Sequence, residues 1–260
     1  MKEGSHPGLS LRAKGAGGAP LVLLHGFLGT PHAWRAVLAA LPDHGPVWCP
    51  WLPGHGPAAA APATWAAAVQ QLAAALPAGA VLAGYSMGAR LALGAALEPG
   101  TVLRGTLLVG GHVGLATAAE RAERAAQDAQ RASALRTQPL TSFIDAWEAL
   151  PLFATQRVLP QVARDRQRQA RLTHDAQALA WSFEVAGLAC MPDLRAAVAG
   201  AQQPLRWLTG ALDTRFTELA TSLVRPPWVT HRSVAGAGHN LLLEAPADVA
   251  ASLAACMEKA

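Results

Sequence analysis

The stretch that most limits what this chain can fold into is Gly84-Tyr85-Ser86-Met87-Gly88. The apolar run Ala80-Val81-Leu82-Ala83 leads into it, and a second apolar run, Ala89 to Leu97, leads out with helical character. A Gly-x-Ser-x-Gly pentad between a buried strand and a buried helix reads as a nucleophile elbow. The turn is so tight that the flanking positions must be small. Gly84 and Gly88 let strand and helix approach closely, and the serine is forced into a strained conformation with its hydroxyl exposed. Because the helix starts under the serine, its unpaired N–H groups face any negative charge that forms there.

The apolar content, 52% of 260 residues, is ample for one large domain or a domain with an insertion. No apolar stretch is long enough to cross a membrane, and the N-terminal residues Met1 to Pro7 lack the apolar core of a secretion signal. Cys49, Cys190 and Cys256 are odd in number and widely spaced, which fits a reducing cytoplasm and gives no metal signature. The net charge is +4, and between Glu120 and Arg171 nine arginines face six acids, so most of the surplus sits in the middle of the chain. That segment is basic through arginine alone, has few aromatics and forms no continuous run, which argues against nucleic-acid binding. Attraction of a small anionic substrate is the better functional reading, and solvated helix faces account for several of these arginines.

Along the chain, a short edge strand is expected near Leu9-Ser10-Leu11, and Gly15 to Pro20 is a turn-rich break. Leu21-Val22-Leu23-Leu24 is a continuous apolar run of the kind found in central parallel strands. Pro31 opens a helix to Leu41 with Thr30 as its cap. A strand at 46–49, a helix at 64–76, the elbow strand and helix, and a strand at 103–109 follow. Strands alternating with helices over short connections predict a doubly wound, mostly parallel sheet. The alternation stops at Thr117. From there to Pro192 only helical patterns appear, at 118–135, 142–150, 162–172 and 175–188, with Pro139, Pro151 and Pro160 between most of them. This predicts a helical cap, residues 117–192, inserted into a core of 1–116 and 193–260 on the side of the sheet where ligands bind. A strand at 205–209, a helix at 217–223, a strand at 228–233 and a helix at 247–257 complete the core. The Ala-rich segment 57–68 is biased in composition but short.

A serine hydroxyl needs a base to take its proton, and an imidazole held by a buried carboxylate is the usual one. His239, in Gly236-Ala237-Gly238-His239-Asn240 directly after the last strand, is the best placed of the nine histidines. Asp213, after the penultimate strand in Gly210-Ala211-Leu212-Asp213, completes the order Ser, acid, His; Asp193 and Glu218 are its rivals. Two N–H groups are needed for an oxyanion near Ser86, and the backbone of Met87 and of Phe27, in His25-Gly26-Phe27, can supply them. His25 itself is read as a residue that braces the loop. Arg90 lies one helical turn past Ser86, and its side chain can lean back toward the serine. A positive charge at the start of an apolar helix is unfavourable unless it grips an anion such as a carboxylate.

These stretches together resemble a bacterial menaquinone-pathway family, the 2-succinyl-6-hydroxy-2,4-cyclohexadiene-1-carboxylate (SHCHC) synthases, which have the α/β-hydrolase fold. The matching segments are Leu24 to Gly29, Leu52 to Gly56, Gly84 to Arg90, Gly110 to Leu115, Glu120 to Arg124, Trp147 with Pro151 to Ala154, Gly210 to Asp213 and Gly238 to Asn240. The elbow and the histidine loop belong to the whole superfamily, whereas Arg90, the Gly110-Gly111-His112 stretch, Arg124 and the Trp147 segment are more selective. The resemblance implies elimination of pyruvate from an enolpyruvyl-cyclohexene carboxylate, started by proton abstraction through the serine, with no cofactor, no metal and no obligatory protein partner. It implies Ser86, Asp213 and His239 as the triad, Arg90 and Arg124 on substrate carboxylates, and Tyr85 and Trp147 along the pocket. A further arginine falls on Arg171, with Arg168 as the competitor. Ala89 stands where the family usually has glycine, and Trp51 where an acid is common. The competing reading is a serine carboxylesterase or C–C hydrolase acting on an anionic substrate.

Overall fold

Seven strands build one sheet: β1 (Gly8–Leu11), β2 (Leu21–Leu24), β3 (Val47–Pro50), β4 (Ala80–Tyr85), β5 (Leu103–Val109), β6 (Leu205–Gly210) and β7 (Val229–Val234). The structure is a computed structural model and describes residues 8–11, 18–41, 43–56 and 61–258. The features read at Met1 to Pro7, at 15–17 and at 57–60 lie outside the described residues. The strand order is β1-β3-β2-β4-β5-β6-β7; β1 runs antiparallel to β3 and all other pairs are parallel. This is the expected doubly wound sheet, with the elbow strand β4 in the middle.

The period of two along each strand divides the core into two layers. Leu21, Leu23, Val81, Ala83, Leu107 and Val109 face one side, where α1 (Arg35–Ala40) packs. Val22, Leu24, Leu82, Leu108 and Trp207 face the other, against α2 (Trp65–Ala75) and α3 (Met87–Leu97). Burying each such side chain contributes roughly 1.5–3 kcal/mol. Where both faces are fully covered, in β2 and along Ala80 to Ala83 of β4, the strands read as unbroken apolar runs, and that is why they were legible.

Between β5 and β6 the chain is helical: α4 (Ala118–Thr137), α5 (Leu140–Glu148), a 3-10 run (Pro151–Val158), α6 (Gln161–Arg171), α7 (Ala176–Leu179), α8 (Trp181–Glu184) and α9 (Arg195–Ala199). A reciprocal cap starts α4: the Glu120 N–H donates to Thr117 Oγ1 at 3.1 Å, and the Thr117 N–H donates to Glu120 at 2.9 Å. The segment has its own apolar cluster, in which Ala132, Leu135, Phe143, Ile144, Leu179, Ala180 and Phe183 surround Leu28 from the loop after β2. The sheet then closes with α10 (Thr214–Ser222), α11 (Leu241–Glu244) and α12 (Pro246–Met257), the last packing with α1 on the same layer.

Four local expectations differ. The single helix expected over 175–188 is two four-residue helices, interrupted at Ala180 and ended at Val185, whose φ of −120° leaves the helical range. The 151–158 run has a three-residue period, with Phe153 and Gln156 buried, which a search for 3.6-residue periodicity passes over. The first turn after Pro31 is likewise a 3-10 run, Pro31–Trp34, ahead of α1. Finally, α10 begins at Thr214, three residues earlier than expected, so that Asp213 is its N-cap.

Candidate active site

The elbow is drawn as the sequence implies. Ser86 has φ 53° and ψ −107°, a conformation that costs a non-glycine residue on the order of 1–3 kcal/mol. It is held there from both sides. The Ser86 N–H donates to the Val109 carbonyl at 2.8 Å, and the Arg90 N–H donates to the Ser86 carbonyl at 3.1 Å. A methyl at Gly84 would fall on the Gly88 carbonyl and 2.6 Å from the Ala89 nitrogen; one at Gly88 would fall 2.6 Å from the Leu24 carbonyl oxygen. Both glycines are therefore required by close backbone approach.

The loop after β7 carries His239 to this serine. Its Nε2 lies 2.9 Å from Ser86 Oγ and accepts the hydroxyl proton, while Nδ1–H donates to Asp213 Oδ2 at 2.6 Å. His239 and Asp213 are buried, at 1% and 8% exposure, whereas Ser86 retains access to solvent. Asp213 occupies an N-cap position but its side chain caps nothing; it is spent on the imidazole. Around the imidazole lie the rings of Phe216 at 4.6 Å, Tyr85 at 5.5 Å and Phe153 at 6.1 Å. Gly110, at φ 58°, leaves the space the imidazole fills: a methyl there would sit 2.9 Å from His239 Cε1. Burial pushes the Tyr85 phenol up, so it stays protonated.

The loop after β2 is braced by histidines. His25 is fully buried; its Nδ1–H donates to the Gly26 carbonyl at 2.8 Å and its Nε2 accepts the Leu52 N–H at 3.1 Å. His55 repeats the pattern, donating to the Pro53 carbonyl at 3.2 Å and accepting the Leu28 N–H at 3.1 Å. Burial lowers His25 to about 4 and holds His55 well below its ordinary range, with the neighbouring histidines adding to the effect. His25 is thus a brace, as read from the sequence, and His55 is a second one. Trp51 also finds its role here. Its ring covers Gly56, where a Cβ would collide with it, and stands edge-on to His25 at 6.1 Å and His174 at 5.9 Å. The braced turn holds Phe27 beside the elbow, with its ring 4.8 Å from Trp147 and 4.8 Å from Phe183. The first N–H of α3, from Met87, has no carbonyl behind it within the helix.

Arg90 is half-buried and donates to the Ala186 carbonyl at 2.6 Å. Burial, then the nearby Arg124 guanidinium, lower it to about 9, with Asp128 opposing. Arg124 Nε donates to Asp128 Oδ1 at 2.8 Å, and Arg131 Nη1 shares that oxygen at 3.2 Å. The Arg131 guanidinium also lies 5.8 Å from the centre of the Trp147 ring and 5.9 Å from that of Phe183. Two guanidinium groups thus share one buried carboxylate, and the third, Arg90, lies near enough to feel the charge of both Arg124 and Asp128. His112, on the elbow side of this cluster, is held down to about 3 by burial and by Arg90, Arg215, Arg195 and Arg124. Of the two competing arginines, Arg171 is buried, bonded to Glu148 at 2.7 Å, and 6.0 Å from the Phe153 ring centre. Arg168 is about a third exposed and ion-paired to Asp145 at 2.6 Å and Glu148 at 3.0 Å. Arg171 is therefore the one turned toward the site. The rivals of Asp213 are elsewhere: Asp193 Oδ1 pairs with Arg195 at 2.8 Å, and Glu218 lies within α10. Sequence reasoning missed Asp128, Arg131, His55 and Phe216. The i,i+4 and i,i+3 spacing of Arg124, Asp128 and Arg131 on one helix was a signal for the first two. Among the described residues, no group of three or more His, Cys, Asp or Glu gathers to hold a metal ion, and no helix is long and apolar enough to cross a membrane.

A parallel sheet with a strained serine after its middle strand and an imidazole and carboxylate on later loops defines a class. The chain belongs to the alpha/beta hydrolase family, whose pattern it matches over residues 21–252. Within that class its relatives are narrower. It is 37% identical over 239 residues, 90% of each chain, to 2-succinyl-6-hydroxy-2,4-cyclohexadiene-1-carboxylate synthase of Enterobacter sp. (strain 638). It is 37% identical over 245 residues to the synthase of Shigella sonnei (strain Ss046), covering 90% of this chain and 92% of that one. The structure of MenH from S. aureus superimposes with a TM-score of 0.89 at 25% identity, over 95% of this chain and 96% of that one. A thermophilic esterase from Thermogutta terrifontis shares the fold at a TM-score of 0.77 and 24% identity, over 96% of this chain and 93% of that one. These relatives make the chain an enzyme of the lyase type, in the family of those synthases.

Proposed function

We propose that the enzyme eliminates pyruvate from an enolpyruvyl-cyclohexene carboxylate bearing a succinyl arm, giving SHCHC for menaquinone biosynthesis in the cytoplasm. The observation that carries this reading is the pairing of the Ser86–His239–Asp213 chain with half-buried Arg90 one helical turn away. Three guanidinium groups against one carboxylate is a surplus an esterase acyl pocket has no use for, and a substrate with several carboxylates does. In this reading residues 117–192 act as a cap over a core of 1–116 and 193–260. Arg90, Arg124 and Arg171 grip the substrate's carboxylates, and Tyr85 and Trp147 line the pocket.

His239 Nε2 takes the Ser86 proton, and Asp213 holds the imidazole in the Nδ1–H tautomer and stabilises the imidazolium. The serine oxygen then removes the proton on carbon next to the succinyl ketone. The resulting enolate oxygen lies against the Phe27 and Met87 N–H groups. As the enolate collapses, a ring double bond forms, the C–O bond to the enolpyruvyl group breaks with its electrons leaving on oxygen, and the departing pyruvate enolate takes one proton on carbon to become pyruvate. No acyl-enzyme is formed, so the triad works as an acid–base device.

The test is incubation with the enolpyruvyl substrate while following pyruvate, beside a nitrophenyl ester. Pyruvate release that depends on Ser86 and His239 is expected. Rapid ester turnover with no pyruvate would reject the lyase in favour of a serine carboxylesterase.

A further inference from the structure

His239 sits on a loop, yet its geometry has to hold to a fraction of an ångström. What fixes it is a carboxylate two turns of chain further on. Glu244, the last residue of α11, turns back over its own short helix. One oxygen, Oε2, accepts the Gly238 N–H at 2.7 Å, and the other, Oε1, accepts the Asn240 N–H at 3.2 Å. These are the N–H groups of the residues on either side of His239. The structure assigns Glu244 as a positioning residue: a two-pronged acceptor that ties down the N–H groups of both neighbours of His239 and so sets the reach of its imidazole to Ser86.

The chemistry favours glutamate over its near relatives. Two N–H donors point at two different oxygens, so an ionised carboxylate satisfies both. A glutamine has one acceptor oxygen and would press its amide N–H₂ against the other donor. An aspartate is one methylene shorter and cannot span both peptides from the same backbone position. The loop is otherwise lightly held. The Leu212 N–H donates to the Ala237 carbonyl at 2.9 Å, and Gly238 lies against the Thr155 side chain, which tolerates no Cβ there. The Glu244 charge also reaches the site as a field. It and Asp213 are the two carboxylates whose charge bears on the Tyr85 phenol, which lies 5.5 Å from the His239 ring. Arg171, also bearing on Tyr85, is the cation facing this group from the helices above, and the Phe153 and Phe216 rings supply no charge.

This inference rests on His239 acting as the base. Glu244→Gln and Glu244→Asp should lower kcat for pyruvate release about 10- to 100-fold with KM within about twofold, because misplacing a catalytic group by a fraction of an ångström costs rate and not binding. In the unaltered protein, amide hydrogen exchange at Gly238 and Asn240 should be slow for loop positions, a reading that needs no variant. Fast exchange at both amides, or a folded Glu244→Gln enzyme with unchanged kcat, would overturn the assignment. If Ser86→Ala and His239→Ala left pyruvate release intact, the triad reading itself would fall, an outcome distinct from failure of the Glu244 variants alone.

Discussion

Placing a single methyl at Gly88 tests the elbow more sharply than removing the serine does. The added Cβ would point at the end of β2, meeting the His25 carbonyl oxygen and standing 2.6 Å from that of Leu24. Ordinary contact begins at 3.4 Å, so α3 and β2 must part by about 0.8 Å to clear the Leu24 oxygen and by about 1 Å to clear the nearer His25 oxygen. Both obstacles are backbone, and neither can rotate aside. Overpacking of this kind costs about 1–3 kcal/mol, or roughly 2–4 °C in melting temperature for each kcal/mol in a chain of this size. The functional effect should be larger than the stability effect. Ser86 is the N-cap of α3 and Met87 its first residue, so the hydroxyl and the N–H group under it move with the helix. A shift approaching 1 Å at reacting groups costs about 10²-fold in rate. Gly94 in the same helix is the internal control. Its added methyl would meet the Val69 γ-carbons at 2.7 and 3.2 Å, a side-chain obstacle away from the elbow rather than a backbone one beside it, and alanine gains about 1 kcal/mol of helix propensity over glycine. Thermal melts and pyruvate-release kinetics on Gly88→Ala and Gly94→Ala, side by side, decide it. A soluble Gly88→Ala enzyme with kcat within twofold of the parent, or a Gly94→Ala enzyme that is equally impaired, would refute the reasoning.

Arg90→Ala should cut pyruvate formation by about 100-fold or more while the melting temperature changes little; unchanged kinetics would remove Arg90 from the site. Arg171→Ala should raise KM for the same substrate several-fold more than Arg168→Ala does, because Arg168 is committed to Asp145 and Glu148 at the surface; equal effects would contradict that ranking. Stability should fall on acidification. His25 is held at about 4 in the folded chain against 6.5 when unfolded, so the unfolded chain takes up a proton the folded one refuses. That contribution is complete above about pH 6.5 and is lost as pH drops toward 4, about 3 kcal/mol for this residue. Urea titrations at pH 7.5 and 5 read it as a lower midpoint at pH 5; an equal or higher midpoint would show the histidine braces to be uncoupled from folding.

The parts of the molecule legible from residues alone share a physical cause. β2 and β4 are covered on both faces, so Leu21 to Leu24 and Ala80 to Ala83 announce themselves as apolar runs. The elbow is legible because only glycine fits where backbone meets backbone, and Asp213 and His239 because they fall directly after strands. The helical excursion hides more. Its boundaries came through at Thr117, where a cap with Glu120 leaves a local signature, but not at 151–158, whose three-residue period carries no amphipathic stripe. Leu241–Glu244 escaped because four residues are too few for any period, and with it Glu244, whose partners Gly238 and Asn240 appear only when the chain has turned. Trp51 is intelligible only in space, since Gly56, His25 and His174 come from three separate loops.

The arginine surplus between Glu120 and Arg171 has the same double character. In the sequence it is a charge excess without an address. In the fold part of it is paired among the helices: Arg136 with Glu184, Arg168 with Asp145 and Glu148, and the buried Arg171 with Glu148. The exposed pairs of Arg136 and Arg168 are worth little in stability. Beside the elbow, Arg124 and Arg131 share the single Asp128 carboxylate, and Arg90 is bonded to a neutral carbonyl. His112 registers the consequence: burial together with four surrounding guanidinium groups makes its protonation unfavourable down to about pH 3. A half-buried guanidinium is costly to leave without an anion. The fold accepts that cost next to its one strained serine, and an arriving carboxylate would recover it as binding energy. A neutral ester would recover none, so electrostatics alone should rank carboxylate-bearing substrates above neutral ones at this site.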